Sequence, residues 1–232
     1  MLKSTYVAAM RTAAMPLRSS GLLSYLQRGP RNSFRFWLGS QFAIHDAADL
    51  ARLDVPWWTL PAIDAVDAWI AARGGKVRVF EYGSGASTLW LARRCEHVTS
   101  VEHDVGFARA TATLLARDNI EVRVIEPQHD VAAPRAPSGR KGYDRCDFSA
   151  YVDSVADGGR YDLVIIDGRA RSACLERVQA FLNPGALIVF DNSSRARYQP
   201  ALERVAAHVT RYRGWAPALP YRSETSLIER LV

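Results

Sequence analysis

Five short apolar runs separated by segments of helical length leave this chain few ways to fold. The strand candidates are Val77–Tyr82, Val98–Glu102, Val122–Ile125, Asp162–Asp167 and Ala186–Asp191. Between them, Ser87–Cys95, Val105–Arg117, Phe148–Ala156 and Ala173–Phe181 carry helical patterning. Such alternation builds right-handed βαβ units, and therefore a parallel sheet covered on both faces. The end breaks the pattern. A helix predicted over Tyr198–His208 is followed by Val209–Trp215 and Thr225–Arg230. No crossover helix fits between those two strands, so they must be antiparallel. The expected fold is α/β: a doubly wound, mostly parallel seven-stranded sheet with a C-terminal antiparallel hairpin.

What precedes the first strand differs in composition. The segment 46–73 reads as helical, with Pro61 suited to a first turn and Gly74-Gly75 as its end. Residues 1–45 contain Lys3, Arg11, Arg18, Arg28, Arg31 and Arg35 and no acidic residue. Without those six charges the chain has 24 basic and 24 acidic residues. The neutral body argues against a nucleic-acid surface. The boundaries read as a basic N-terminal helical arm, 1–45, and one domain, 46–232. The apolar residues of the arm, among them Leu22, Leu23, Phe34 and Phe36, need burial, in the domain or in a homodimer. Its charge also fits organelle import or a peripheral contact with anionic lipid. No apolar run approaches the roughly 20 residues of a membrane helix. The three cysteines, Cys95, Cys146 and Cys174, share no metal-ligand spacing, as expected of free thiols in a reducing, cytoplasmic setting.

Chemistry concentrates at the ends of the strands. The first runs into Phe80-Glu81-Tyr82-Gly83-Ser84-Gly85-Ala86-Ser87-Thr88. Its two glycines let the backbone turn with positive φ and approach a ligand closely. The second strand ends at Glu102-His103-Asp104, the fourth at Asp167-Gly168-Arg169-Ala170-Arg171, and the fifth at Asp191-Asn192. Ligands of doubly wound sheets lie outside these carboxyl ends, where the strand order reverses. The segment Glu126–Asp147 is a long irregular loop, a length that usually serves a function.

These features together resemble class I S-adenosylmethionine (SAM)-dependent methyltransferases, over residues 77–230. The resemblance implies a Rossmann-like sheet and a SAM site. Glu81, Gly83, Ser84 and Gly85 would line the methionine part, with Ser87 and Thr88 reaching its carboxylate. Glu102 would hold the ribose with His103 beside it, Glu126 would contact adenine, and Asp167 would border the cofactor. Ser87 stands where many members have a third glycine, and a nicotinamide-dinucleotide fold is the competing reading.

The pair Asp167 and Asp191-Asn192 is similar to the divalent-ion ligands of catechol and caffeoyl-CoA O-methyltransferases. That likeness implies a metal set of Asp167, Asp191 and Asn192 binding Mg²⁺, which would orient an acceptor hydroxyl. Ala170 replaces that family's catalytic lysine. Arg169 and Arg171 crowd the same place, so a guanidinium–carboxylate network, or an anionic acceptor held by arginine, fits equally. The catalytic candidates are accordingly Asp167, Arg169, Arg171 and Asp191. The activity implied is methyl transfer to oxygen of a small-molecule or sugar-like acceptor. Alternatives are transfer to nitrogen or a macromolecule without metal, and a SAM-binding protein without catalysis.

Overall fold

The computed structural model describes residues 12, 15–43, 47–205 and 207–230. Seven strands, β1 (Arg78–Tyr82), β2 (His97–Glu102), β3 (Ile120–Val124), β4 (Tyr161–Ile166), β5 (Leu182–Asp191), β6 (Ala207–Trp215) and β7 (Arg222–Arg230), form one sheet in the order β3-β2-β1-β4-β5-β7-β6. The first five are parallel, while β7 runs antiparallel to both β5 and β6. The strand order reverses between β1 and β4, which opens the carboxyl edge there to a ligand. The expected Rossmann-like arrangement and its C-terminal hairpin are both present.

Side chains alternate between two cores, as the pleat requires. Val79, Leu163, Ile165, Leu187 and Val189 point to one face, where they meet α4 (Leu60–Ala71) and α5 (Ala86–Ala92). Phe80, Tyr82, Val164, Ile166, Ile188 and Phe190 point to the other, against α7 (Ser149–Asp153), α8 (Arg171–Val178) and α9 (Gln199–Arg204). Other α-helices among the described residues include α1 (Leu22–Gln27), α2 (Phe34–Ser40), α3 (Ala47–Leu53) and α6 (Val105–Leu115).

The N-terminal segment packs into the first of these cores. Phe36 and Ala43 belong to it, the Trp37 ring lies 4.3 Å from that of Trp215, and Trp37 Nε1 donates to the Leu219 carbonyl at 3.1 Å. Arg31 reaches Asp64 and Asp67 of α4 at 3.2 and 3.1 Å.

Two expected helices are shorter than the patterning implied. The run 46–73 is split: Asp54 has a φ of +53°, the chain runs on through Val55-Pro56-Trp57-Trp58, and the helix restarts at Leu60. Pro56 lacks a backbone donor and disfavours a helical Val55, which explains the break. The helix expected over Tyr198–His208 stops at Arg204, because from Ala207 the backbone pairs with β7 instead.

Candidate active site

Close backbone contact at the strand-order reversal shapes a cleft. Gly83 N donates to Val101 O and Asp167 N to Tyr82 O, so the ends of β2, β1 and β4 are tied together. Gly83 has a φ of +98°, and a Cβ there would stand 2.9 Å from the backbone of Gly168. A Cβ on Gly168 would in turn meet the Tyr151 hydroxyl and the Tyr82 carbonyl. Only glycines let these two turns touch. Above them lies a cleft of about 270 Å³, with Trp57 and Phe107 among its apolar walls.

Of the predicted cofactor residues, Gly83, Ser84, Gly85, Ser87, Glu102, His103 and Asp167 line this cleft. Glu102 is organised by backbone. Its Oε1 accepts from the N–H groups of His103 and Asp104 at 2.8 and 2.9 Å, and its Oε2 from Ser84 N at 3.1 Å. Burial works against the charge, but hydrogen bonds from the His103 ring and from the backbone outweigh it and hold the carboxyl below its ordinary range. The His103 ring sits 2.7 Å from Glu102 Oε1 and packs among Tyr143, Phe148 and Tyr151.

Glu81, Thr88 and Glu126 stand elsewhere. Glu81 has the β1 parity that faces α5 and is fully buried. It accepts from Ser87 Oγ and Thr88 Oγ1 at 2.5 Å each and from Ser100 Oγ at 2.9 Å. Thr88 Oγ1 also accepts from Gly85 N at 2.9 Å. Glu81 thus braces the glycine turn from beneath and does not line the cleft. Burial pushes its carboxyl up to about 7, against the three hydroxyl donors. Glu126 is exposed and also lies outside the cleft lining.

The carboxylates of β4 and β5 are joined by Arg171. Its Nη2 donates to the Asp167 carbonyl at 2.6 Å and to Oδ1 at 2.7 Å. Its Nε donates to Gly168 O at 3.1 Å, and its Nη1 to the Asp191 carbonyl. The same Nη1 stands 3.6 Å from Asp191 Oδ2. Asp191 Oδ1 accepts from Thr225 Oγ1 at 2.7 Å, and Oδ2 from Asn192 Nδ2 at 2.5 Å. Burial and the neighbouring Asp167 push the Asp191 carboxyl up to about 7, although Arg171 opposes them. One guanidinium charge cannot neutralise two carboxylates. Asp167 takes the shorter pair with Arg171, at 2.7 Å against 3.6 Å for Asp191.

Asp167, Asp191 and Asn192, expected as ligands of Mg²⁺, are brought together here with the Arg171 guanidinium between the two acids and the Asn192 amide turned onto Asp191. Among the described residues no cluster of three or more His, Cys, Asp or Glu groups suits a metal ion. Asp191 and Arg171, at 3% and 6% exposure, are also absent from the cleft lining, whereas Arg169 is part of it. The Arg169 guanidinium lies 5.2 Å from the Tyr143 ring centre, and its buried Nε has no hydrogen-bond partner.

Sequence reasoning missed Asp104, Phe107 and Gly168 in the cleft wall. Asp104 caps α6 by accepting from Phe107 N at 2.9 Å, and that capping signal directly after the acid of β2 was available to find the pair. Trp57 also lines the cleft, while its neighbour Trp58 is buried in the core.

No protein-family model matches this chain, and no curated protein matches it. Solved structures do. The O-methyltransferase from Bacillus cereus, in complex with SAH, is 14% identical, with 80% of this chain and 90% of that chain covered, at a TM-score of 0.56. The O-methyltransferase TomG from Streptomyces achromogenes, in complex with SAM, is 18% identical, covering 82% and 90%, at 0.55. An rRNA methylase from Streptococcus thermophilus is 11% identical, covering 74% and 97%, at 0.54. Across that range of titles the shared property is the fold. The chain has the Rossmann-like architecture of SAM-dependent methyltransferases.

Proposed function

We propose that this protein is a SAM-dependent methyltransferase that delivers the methyl group to an oxygen of a small-molecule acceptor. The observation that carries the reading is the convergence, at the strand-order reversal, of the Gly83-Ser84-Gly85 turn and the Glu102 carboxylate on one cleft. The cleft suits SAM in shape and in donor set. A Cβ on Gly85 would project into the cleft towards the Phe107 ring, 3.7 Å away. Glu102, held ionised, is the acceptor-only group a ribose diol requires. Its longest contact, 3.3 Å from Ser84 Oγ, is the one a ribose hydroxyl would replace.

When bound, SAM supplies an activated methyl group on a sulfonium. The chain's own residues bind and orient. Glu102 holds the ribose, Gly83 and Gly85 leave room for the chain of the ligand, and Trp57 and Phe107 exclude water from its flanks. Asp167, fixed by Arg171, and Arg169 face the acceptor end. Arg171 and Asp191 act from behind as positioning residues. The small cleft and the even charge of the chain beyond residue 45 support a small acceptor.

Calorimetry with SAM, SAH and NAD tests the reading, and tighter binding of NAD than of SAM would overturn it. Activity against a panel of hydroxylated acceptors should be unchanged by excess chelator, because Arg171 bridges the acids that an ion would need. Loss of turnover in chelator, restored by Mg²⁺, would refute that assignment.

A further inference from the structure

Seven large apolar side chains are exposed among the described residues, and five of them, Met15, Leu22, Tyr25, Phe34 and Leu38, come from the N-terminal segment. Leu22 and Tyr25 are three apart on α1, and Phe34 and Leu38 four apart on α2, so each pair shares a helix face. The two helices touch closely: a Cβ on Gly39 would stand 2.9 Å from Leu26 Cβ, and Gln27 Nε2 donates to Gly39 O at 3.1 Å. The opposite side chains, Leu23 and Phe36, are the buried ones. The outward residues stay exposed, although Phe34 touches the Trp37 ring at 5.2 Å.

The charge around this patch is mostly positive. Arg35 lies 4.4 Å over the Tyr25 ring, and among the described residues neither Arg28 nor Arg35 has a carboxylate partner. Arg18 meets Asp49 only at 3.5 Å. A groove of about 440 Å³ beside α1 is lined by Arg18, Arg28 and Arg52 as well as Leu23 and Gln27, with Asp49 the one acid in it. No described helix is long and apolar enough to cross a membrane.

We infer that the outer face of α1 and α2 docks on an anionic lipid surface. Leu22, Tyr25, Phe34 and Leu38 enter the headgroup–acyl boundary, while Arg18, Arg28 and Arg35 meet lipid phosphates. Exposed apolar side chains beside Arg28 and Arg35, which have no carboxylate partner among the described residues, fit that surface in both respects. A second copy fits worse, because its own acid-free segment would set arginine against arginine. The inference stands apart from the methyltransferase reading, since none of these residues lines the cleft.

Co-sedimentation of the full chain with vesicles is the test. Binding should be strong to phosphatidylcholine–phosphatidylserine vesicles and at least about tenfold weaker to phosphatidylcholine alone, on the scale of a few arginine–lipid contacts. Raised salt should release it. Arg28→Glu with Arg35→Glu should abolish binding, and Leu22→Ser with Phe34→Ser should weaken it in both salts. Thermal melts would establish that each variant is folded, and the salt response of the unaltered chain needs no variant. Equal binding to both vesicle types, or none, would overturn the proposal. So would a concentration-dependent dimer lost in Leu22→Ser with Phe34→Ser, which would make the face a self-interface.

Discussion

Glu102 closes β2 and Asp191 closes β5, on the same edge of one sheet, and both are almost out of reach of water at 4% and 3% exposure. Their donors differ in kind. Three backbone N–H groups point at Glu102, and such donors have no competing partner to satisfy. Asp191 has a hydroxyl, an amide and a share in a guanidinium already committed to Asp167. Burial opposes the charge at both; at Glu102 the His103 ring and the backbone outweigh it and hold the carboxyl below its ordinary range, whereas at Asp191 burial and the neighbouring Asp167 push the carboxyl up to about 7 against Arg171, Thr225 and the Asn192 backbone. A strand-end acid becomes a ligand-binding anion only where the local turn supplies donors to keep it charged. Where it must share a cation, it becomes part of the scaffold.

The comparison breaks first at Arg171. Replacing it with methionine keeps the volume and strands Asp167 beside a carboxyl that has lost its only cation. Removal of one partner from a buried ion pair typically costs about 3–5 kcal/mol. Denaturant unfolding at neutral pH should show a loss of that order for Arg171→Met. Adding Asp167→Asn and Asp191→Asn should recover part of it, because the charges that needed the guanidinium are then gone. A loss below about 1 kcal/mol would mean that solvent already screens the network.

At Glu102 the expected effect falls on binding. Glu102→Ala removes the charged acceptor proposed for the ribose diol, which should weaken SAM by roughly 1.5–3 kcal/mol. SAH should lose as much, since it carries the same ribose. Calorimetry that finds the variant within twofold of the wild type would remove Glu102 from the site. Asp191→Asn should leave both affinities nearly intact, since Asp191 lies behind the cleft.

The strand directions were legible because strand length, alternation and the missing crossover before the last strand each have one physical reading. The glycine turn was legible as well, since little else explains two glycines between an apolar run and a helix. What Asp167, Asp191 and Asn192 hold was not. The same three residue types serve an ion or a guanidinium, and the choice depends on where Arg171 lands. Ala170 holds a φ of +48° and Asn192 one of +55°. The first positions Arg171 at the start of α8, and the second turns the amide onto Asp191. The first conformation is disfavoured for an alanine, and composition gives no warning of it; the second is one that asparagine adopts readily. For Glu81 the reason is simpler: strand parity puts it on the α5 face, so a residue two places before Gly83 props the glycine turn from below.

The smallest expected effect is also the one most specific to the comparison, because the two carboxyls should pull stability in opposite directions with pH. Asp191 titrates near 3.8 when unfolded and about 7 when folded. Its contribution is therefore complete below the unfolded value and drains away as pH rises through about 7. Glu81, raised from 4.5 to about 7 by burial, acts in the same sense. Glu102 is shifted down, so its contribution is present above 4.5 and is lost as pH falls through its folded value. Melting temperatures should thus fall on both sides of mildly acidic pH. Asp191→Asn and Glu81→Gln should each flatten the decline between about pH 4 and 7, while Glu102→Gln should flatten only the acid side. Asp167→Asn supplies the finer discrimination. It removes the negative neighbour that keeps Asp191 protonated, so the Asp191 transition should move to lower pH. If Asp191→Asn instead tracks the wild type across the whole range, Asp191 is already ionised in the folded protein, and Arg171 neutralises both acids on its own.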